Sequence, residues 1–112
     1  MSVERLAELL EQIEQAARLA GSYVEGMHKK DFLADTRTQQ AVTMNLIIIG
    51  EAASRLIQEH AAFAQAHSEV PWHQMKGMRN RIAHGYFETD LEIVWDTVQS
   101  ALPDLLARLP VK

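Results

Sequence analysis

Five side chains able to handle a phosphate or a proton fall within eight positions: Arg79, Asn80, Arg81, His84 and Tyr86. They belong to the stretch MRNRIAHGYF, residues 78–87. No Asp or Glu occurs from Val70 to Phe87, although the whole chain carries a formal charge of −4. Histidine takes or gives a proton near neutral pH. Arginine offers a fixed fork of donors to charge developing on non-bridging phosphate oxygens. Together they suit metal-free cleavage of an RNA phosphodiester. A base acting on the ribose 2′-OH would leave a 2′,3′-cyclic phosphate and a 5′-OH. The bland reading of the same stretch is a capped helix end with solvated cations.

Spacing alone does not choose between the two. With five histidines in the chain, an arginine followed at four to six residues by a histidine is expected about once by chance. A second copy, Arg55 to His60, is present. Glu51 and Glu59 stand ready to neutralise Arg55, so that copy reads as structural. Residues five apart on an ideal helix are about 140° apart. Arg79 and His84 therefore do not share a helix face, whereas Asn80 and His84 do. Either the helix unwinds near Gly85, or two subunits each supply part of a site. The composite site is the preferred expectation.

Those residues need a scaffold, and the remaining sequence reads as helical. Leu6, Leu9, Leu10, Ile13, Ala16, Ala17, Ala20, Val24 and Met27 follow the three-and-four spacing of one helix face over about Val3–Glu25. Ser2 is a candidate cap and Gly26 a candidate stop. His28–Asp35 is expected to be a polar connection plugged by Phe32 and Leu33. A second helix is expected to begin after Asp35 or Thr36, where Thr36 with Gln39 resembles a capping box, and to reach about Ala61. Val42, Leu46, Ile49, Ala53, Leu56 and Ile57 line one stripe of it, while Met44, Ile47 and Ile48 spread apolar character to the other side. Such a helix lies at the bundle centre or faces a second subunit.

Two residues interrupt the pattern of this helix. Gly50 costs about 1 kcal/mol relative to alanine in a helix interior, which close approach of a neighbouring backbone would justify. Glu51 needs a cationic partner. The local partner is Arg55, one turn on; the distant one is Arg79. The local pair is preferred because it requires no tertiary arrangement.

A break over Ala62–Val70 leads to Pro71, which suits the first turn of a third helix, about Trp72–His84. Trp72, Met75, Met78, Ile82 and Ala83 form its apolar arc, and Arg79 lies within that arc. Gly85 ends the helix. Thr89 with Glu92 resembles the capping box of a fourth helix. Its apolar positions, from Leu91 to Leu109, hold one phase through Pro103, so one kinked helix is expected. The sum is an all-α antiparallel bundle of four main helices, a single domain over residues 1–112.

Other chemistries find little support. The chain has no cysteine, hence no disulfide framework or thiolate metal site. His28, His60, His67, His73 and His84 include no pair four residues apart, and no metal site or other cofactor is expected. Phosphate-binding glycine loops and serine-hydrolase elbows are absent. No signal peptide or membrane-spanning run is apparent, so a cytoplasmic location is expected.

The string Arg79-Asn80-Arg81-Ile82-Ala83-His84-Gly85-Tyr86 resembles the signature of the HEPN superfamily, and more closely its HepT-like branch. The likeness extends to Asn45-Leu46-Ile47-Ile48-Ile49-Gly50-Glu51-Ala52, Val70-Pro71-Trp72 and Asp90-Leu91-Glu92-Ile93-Val94-Trp95. It implies a HEPN-like helical homodimer acting as a metal-independent endoribonuclease toxin of a toxin–antitoxin pair. It implies catalytic roles for Arg79 and His84, with Asn80 beside them. The implied antitoxin is an MNT-type nucleotidyltransferase that silences the toxin by AMPylation of Tyr86. His73, Lys76 and Arg81 are further candidates for guiding the RNA backbone, and Glu51 for supporting Arg79. A competing expectation is a non-catalytic helical scaffold or binding partner of a nucleotidyltransferase.

Overall fold

The computed structural model describes residues 3–110; the Ser2 cap lies outside the described residues. Among them the secondary structure is helical throughout, with no strand. α1 (Val3–Tyr23), α3 (Thr36–Glu59) and α5 (Trp72–His84) are the long elements. The short helices α2 (Lys29–Leu33) and α4 (Ala61–Ala66) occupy the two expected connections. A fourth helical path comprises α6 (Leu91–Asp96), a π-helical turn (Thr97–Ala101) and α7 (Leu102–Arg108). No helix among the described residues is long and apolar enough to cross a membrane.

α3 is the central element, with α1 packed along one side and α5 along another. Its stripe Val42, Leu46, Ile49, Ala53 and Leu56 is buried. It meets Leu9, Ile13, Ala16, Ala17 and Ala20 of α1. The other apolar face is not covered: Met44 is 55% exposed and Ile48 39%. The expectation of a central helix holds, and the helix keeps an open apolar side.

The helix boundaries correct several local expectations. Asp35, not Thr36, caps α3: its carboxylate accepts from the Thr38 backbone N–H at 3.2 Å and from the Thr38 hydroxyl at 2.7 Å. These bonds hold Asp35 below the ordinary carboxylate range. Gln39 instead donates its amide to the carbonyls of Phe32 and Leu33, closing the end of α2. The expected polar connection at 28–35 is a helical turn begun by His28 and Asp31. Its plug is half right, because Phe32 is fully buried against Trp95 (ring centroids 5.5 Å apart) while Leu33 is exposed. Gly26 adopts φ +80°, a left-handed turn after α1 has ended at Tyr23. α3 stops at Glu59, and the expected break at 62–70 begins with α4.

Asp90 rather than Thr89 caps α6, accepting from the N–H groups of Glu92 (2.9 Å) and Ile93 (3.4 Å). A Lys29–Glu92 ion pair (3.0 Å) joins α2 to α6 and raises the Lys29 pKa. The helical phase does continue through Pro103, and the π turn explains how. Val94, Val98 and Leu102 are all buried, yet two successive four-residue steps would drift about 80° on an ideal α-helix. The wider turn absorbs that drift. Leu102 donates to the Thr97 carbonyl, five residues back. Pro103 has no N–H with which to extend the wide register, and α geometry resumes.

Candidate functional site

α5 is cationic along its accessible surface and is seated on α3 by a glycine contact. A Cβ placed on Gly50 would overlap the Arg79 Cβ and stand 2.6 Å from the Met75 carbonyl oxygen. No other residue type fits without moving one helix, which is the reason for glycine in this helix interior. The contact puts Arg79 directly over the last turns of α3. Its Nη1 donates to Glu51 Oε1 at 2.6 Å, a pair spanning 28 residues of sequence. The Arg79 side chain is only 21% exposed, and its Nε lies buried without a hydrogen-bond partner.

Glu51 therefore takes the distant partner ranked second from sequence. It also takes the local one: its other oxygen, Oε2, accepts from Arg55 Nε at 3.3 Å. One carboxylate thus joins two guanidinium groups, leaving the triad with a net positive charge. The Arg79 bond is the shorter and more sheltered; Arg55 is half exposed. The preferred Arg55 bond is thus present, and the two partners weighed as alternatives are bound together. The i,i+4 spacing of Arg55 to Glu51 signalled the bond, but not that the same carboxylate would reach α5 as well.

His84 is exposed at the C-terminal end of α5. It lines a surface pocket of about 340 Å³ with Arg81, Met78, Gly85, Glu88 and Ile93. Arg79 does not contribute to that pocket. The structure keeps α5 helical through His84, so unwinding does not turn the histidine back toward the arginine. Within one chain the two residues stay on different faces, as the 140° offset requires. Asn80 is half-buried one turn before His84, and Arg81 is exposed, its Nη2 lying 3.9 Å from Met78 Sδ.

The remaining expected site residues are spread out. Tyr86 is part of a 3₁₀ turn (Tyr86–Glu88) just past Gly85 and is 43% exposed. Lys76 is half-buried at mid-helix. His73 is exposed in the first turn of α5, eleven residues before His84 and hence about 16 Å away along the axis. It lines a separate pocket with Trp72, Glu69 and Arg108. Of the RNA-guiding candidates, only Arg81 shares a pocket with His84. Among the described residues no cluster of three His, Asp or Glu could hold a metal ion.

The other arginine–histidine pair is built differently. His60 is the junction between α3 and α4, and its Nε2 is buried without a hydrogen-bond partner.

Known proteins resemble this chain over most of its length. The sequence profile of the family described as "Ribonuclease HepT-like" matches residues 13–110. A "Probable ribonuclease HepT" of Thermococcus cleftensis is 38% identical over 96 residues, covering 86% of this chain and 84% of its own. A protein of Caldanaerobacter subterraneus subsp. tengcongensis, named as a "Putative RNase", is 36% identical over 96 residues, covering 86% and 83%. No solved structure gives a significant match. The profile match and these identities place the chain in the ribonuclease HepT-like family.

Proposed function

We propose that this chain is a metal-independent endoribonuclease whose site is completed across a homodimer, with Arg79 and His84 from each subunit lining one cleft. The observation that carries the reading is the treatment of α5. Its arginine is clamped by a carboxylate 28 residues away, and its last residue is an exposed histidine. A clamped guanidinium is pre-organised to receive a phosphate. In the proposed reaction the His84 imidazole takes the 2′-OH proton and O2′ attacks phosphorus. The P–O5′ bond breaks, yielding a 2′,3′-cyclic phosphate and a 5′-OH that takes up a proton. Arg79 stabilises the phosphorane charge, Asn80 and Arg81 orient the backbone, and Glu51 positions Arg79. The open Met44–Ile48 face of α3 is the proposed dimer surface.

In this reading the protein is the toxin of a toxin–antitoxin pair, and its antitoxin is an MNT-type nucleotidyltransferase. The hydroxyl of the exposed Tyr86 attacks the α-phosphorus of ATP and gives up its proton, the bond from that phosphorus to the bridging oxygen breaks, and pyrophosphate leaves. The AMP adds a negative phosphodiester beside His84, which competes for Arg79 and blocks RNA entry.

Purified protein should cleave RNA in the presence of EDTA and leave cyclic phosphate ends. A His84→Ala variant that cleaves as fast as wild type overturns the catalytic assignment. Mass spectrometry after incubation with the cognate nucleotidyltransferase and ATP should find AMP on Tyr86 and none on a Tyr86→Phe variant.

A further inference from the structure

Arg81 and Glu88 reach into one pocket from opposite ends. Both line the space of about 340 Å³ beside His84. The Arg81 side chain folds back along α5, its Nη1 lying 3.6 Å from where a Cβ on Gly77 would stand. The Glu88 side chain turns toward the end of that helix, its Oε1 lying 3.3 Å from where a Cβ on Gly85 would stand. Gly77 and Gly85 are eight residues apart, about 12 Å along a helix axis. The cation and the carboxylate are therefore held apart over the length that one nucleotide spans from its phosphate to the far edge of its base.

Neither charge is spent on an ion pair. Among the described residues Arg81 reaches only the Met78 sulfur, and the Glu88 carboxylate has no hydrogen-bond or ion-pair partner. Asp90 lines the same pocket, but its Oδ1 is committed to the N–H groups of Glu92 and Ile93. Glu88 is fixed at its root, because its N–H donates to the Gly85 carbonyl at 3.0 Å. The wall between the two charges is apolar, with Ile82 and Val94 buried and Ile93 half exposed. A flat base can lie on that wall.

The carboxylate selects among the bases. Ionised, it offers two acceptor oxygens and no donor. Guanine presents two N–H donors side by side, N1–H and N2–H₂, on its Watson–Crick edge. Adenine and cytosine set a ring-nitrogen acceptor beside the amino group, and uracil sets one N–H between two carbonyls. Only guanine can bond both oxygens without opposing acceptor to acceptor, and an RNA base is read along this edge.

We propose that this pocket is a guanine subsite, with Arg81 on the phosphate and Glu88 on the N1–H and N2–H₂ groups of the base. The proposal rests on the nuclease reading for RNA as the ligand, and names the base preferred beside His84.

The test uses labelled 2′-O-methyl oligouridines, which lack the attacking hydroxyl, each carrying one central guanosine, adenosine or cytidine. Wild type should bind the guanosine strand about tenfold more tightly than the other two, the scale of one bidentate base contact. Glu88→Gln exchanges one acceptor for a donor. It should weaken guanosine-strand binding about tenfold and turn the preference to adenosine, with an unchanged melting temperature. Arg81→Ala should weaken all three strands alike. On cleavable strands of the same sequences, wild-type kcat/KM should follow the order of binding. Equal affinity of wild type for the three strands overturns the subsite, and so does a guanosine preference kept by Glu88→Gln. Equal tightening of every strand in Glu88→Gln overturns it too, leaving Glu88 a repulsive charge only. If wild type selects guanosine through Glu88 yet cleaves no RNA, the nuclease reading fails and the subsite stands. If wild type binds and cleaves all three strands equally, the subsite fails and the nuclease reading stands.

Discussion

Arg55 and His60 have the same spacing as Arg79 and His84, and the fold uses the two pairs in opposite ways. In the first pair the arginine is half exposed and the histidine is packed into a helix junction. In the second the arginine is sheltered and the histidine is open at a helix end. A proton-transfer group must be reachable, and a charge-stabilising group gains from being held and partly desolvated. Only the second pair meets both demands. The two are linked all the same, because Glu51 binds both arginines.

The largest expected effect separates the pairs directly. Arg79→Ala and His84→Ala should each lower RNA cleavage by about 100-fold or more, the scale of a lost charge stabiliser or acid–base group. Arg55→Ala and His60→Ala should stay within about threefold when folded. Initial rates on one RNA substrate decide this, and loss of cleavage in folded His60→Ala would erase the distinction.

The seat of Arg79 comes next. Gly50→Val should destabilise the protein by about 2–3 kcal/mol through overpacking, lowering Tm by on the order of 10 °C. Gly77 on α5 offers the contrast, since a Cβ there meets only Arg81 Nη1 at 3.6 Å. Gly77→Ala should stabilise by about 0.5–1 kcal/mol, as read from thermal or urea unfolding.

Smaller still is the effect of neutralising the shared carboxylate. Glu51→Gln should lower kcat about tenfold with little change in KM, the loss expected from a loosened transition-state contact. In an Arg79→Ala background the same change should have no further effect, because the two residues act as one unit. Additive losses would mean that Glu51 acts through something other than Arg79.

The smallest effect lies away from both pairs, at the Asp35 cap. Its folded pKa is lowered, so its contribution is complete above the ordinary value of 3.8 and is lost as pH falls through the folded value. Asp35→Ala should lower Tm by a few degrees at pH 7. The gap to wild type should close in strongly acidic buffer. A gap independent of pH would assign the loss to the backbone rather than the carboxylate.

The long helices could be read from apolar spacing because each spans several turns and repeats its pattern. Gly50 could be read as well, since a glycine inside an apolar helix calls for a close neighbour, and Arg79 stood out within an apolar arc. The short helices α2 and α4 could not: five or six residues carry too little periodicity to separate a helical turn from a loop. The cap at Asp35 was left open against Thr36, and that at Asp90 was displaced to Thr89, because each adjoins a threonine with a Gln or Glu three positions on. Either oxygen satisfies the pattern, and only the backbone geometry decides which reaches the free N–H groups. The sharing of Glu51 depends on how α5 lies across α3, which no local pattern encodes.

The bare contact at Gly50 has a mechanical consequence. Most helix pairs meet through side chains that can change rotamer and absorb a displacement. Here backbone meets backbone and the root of Arg79, with nothing between to give. A displacement of α3 at Gly50 would carry the Arg79 backbone with it, and Glu51, the next residue of the same helix, would carry the partner of the guanidinium along.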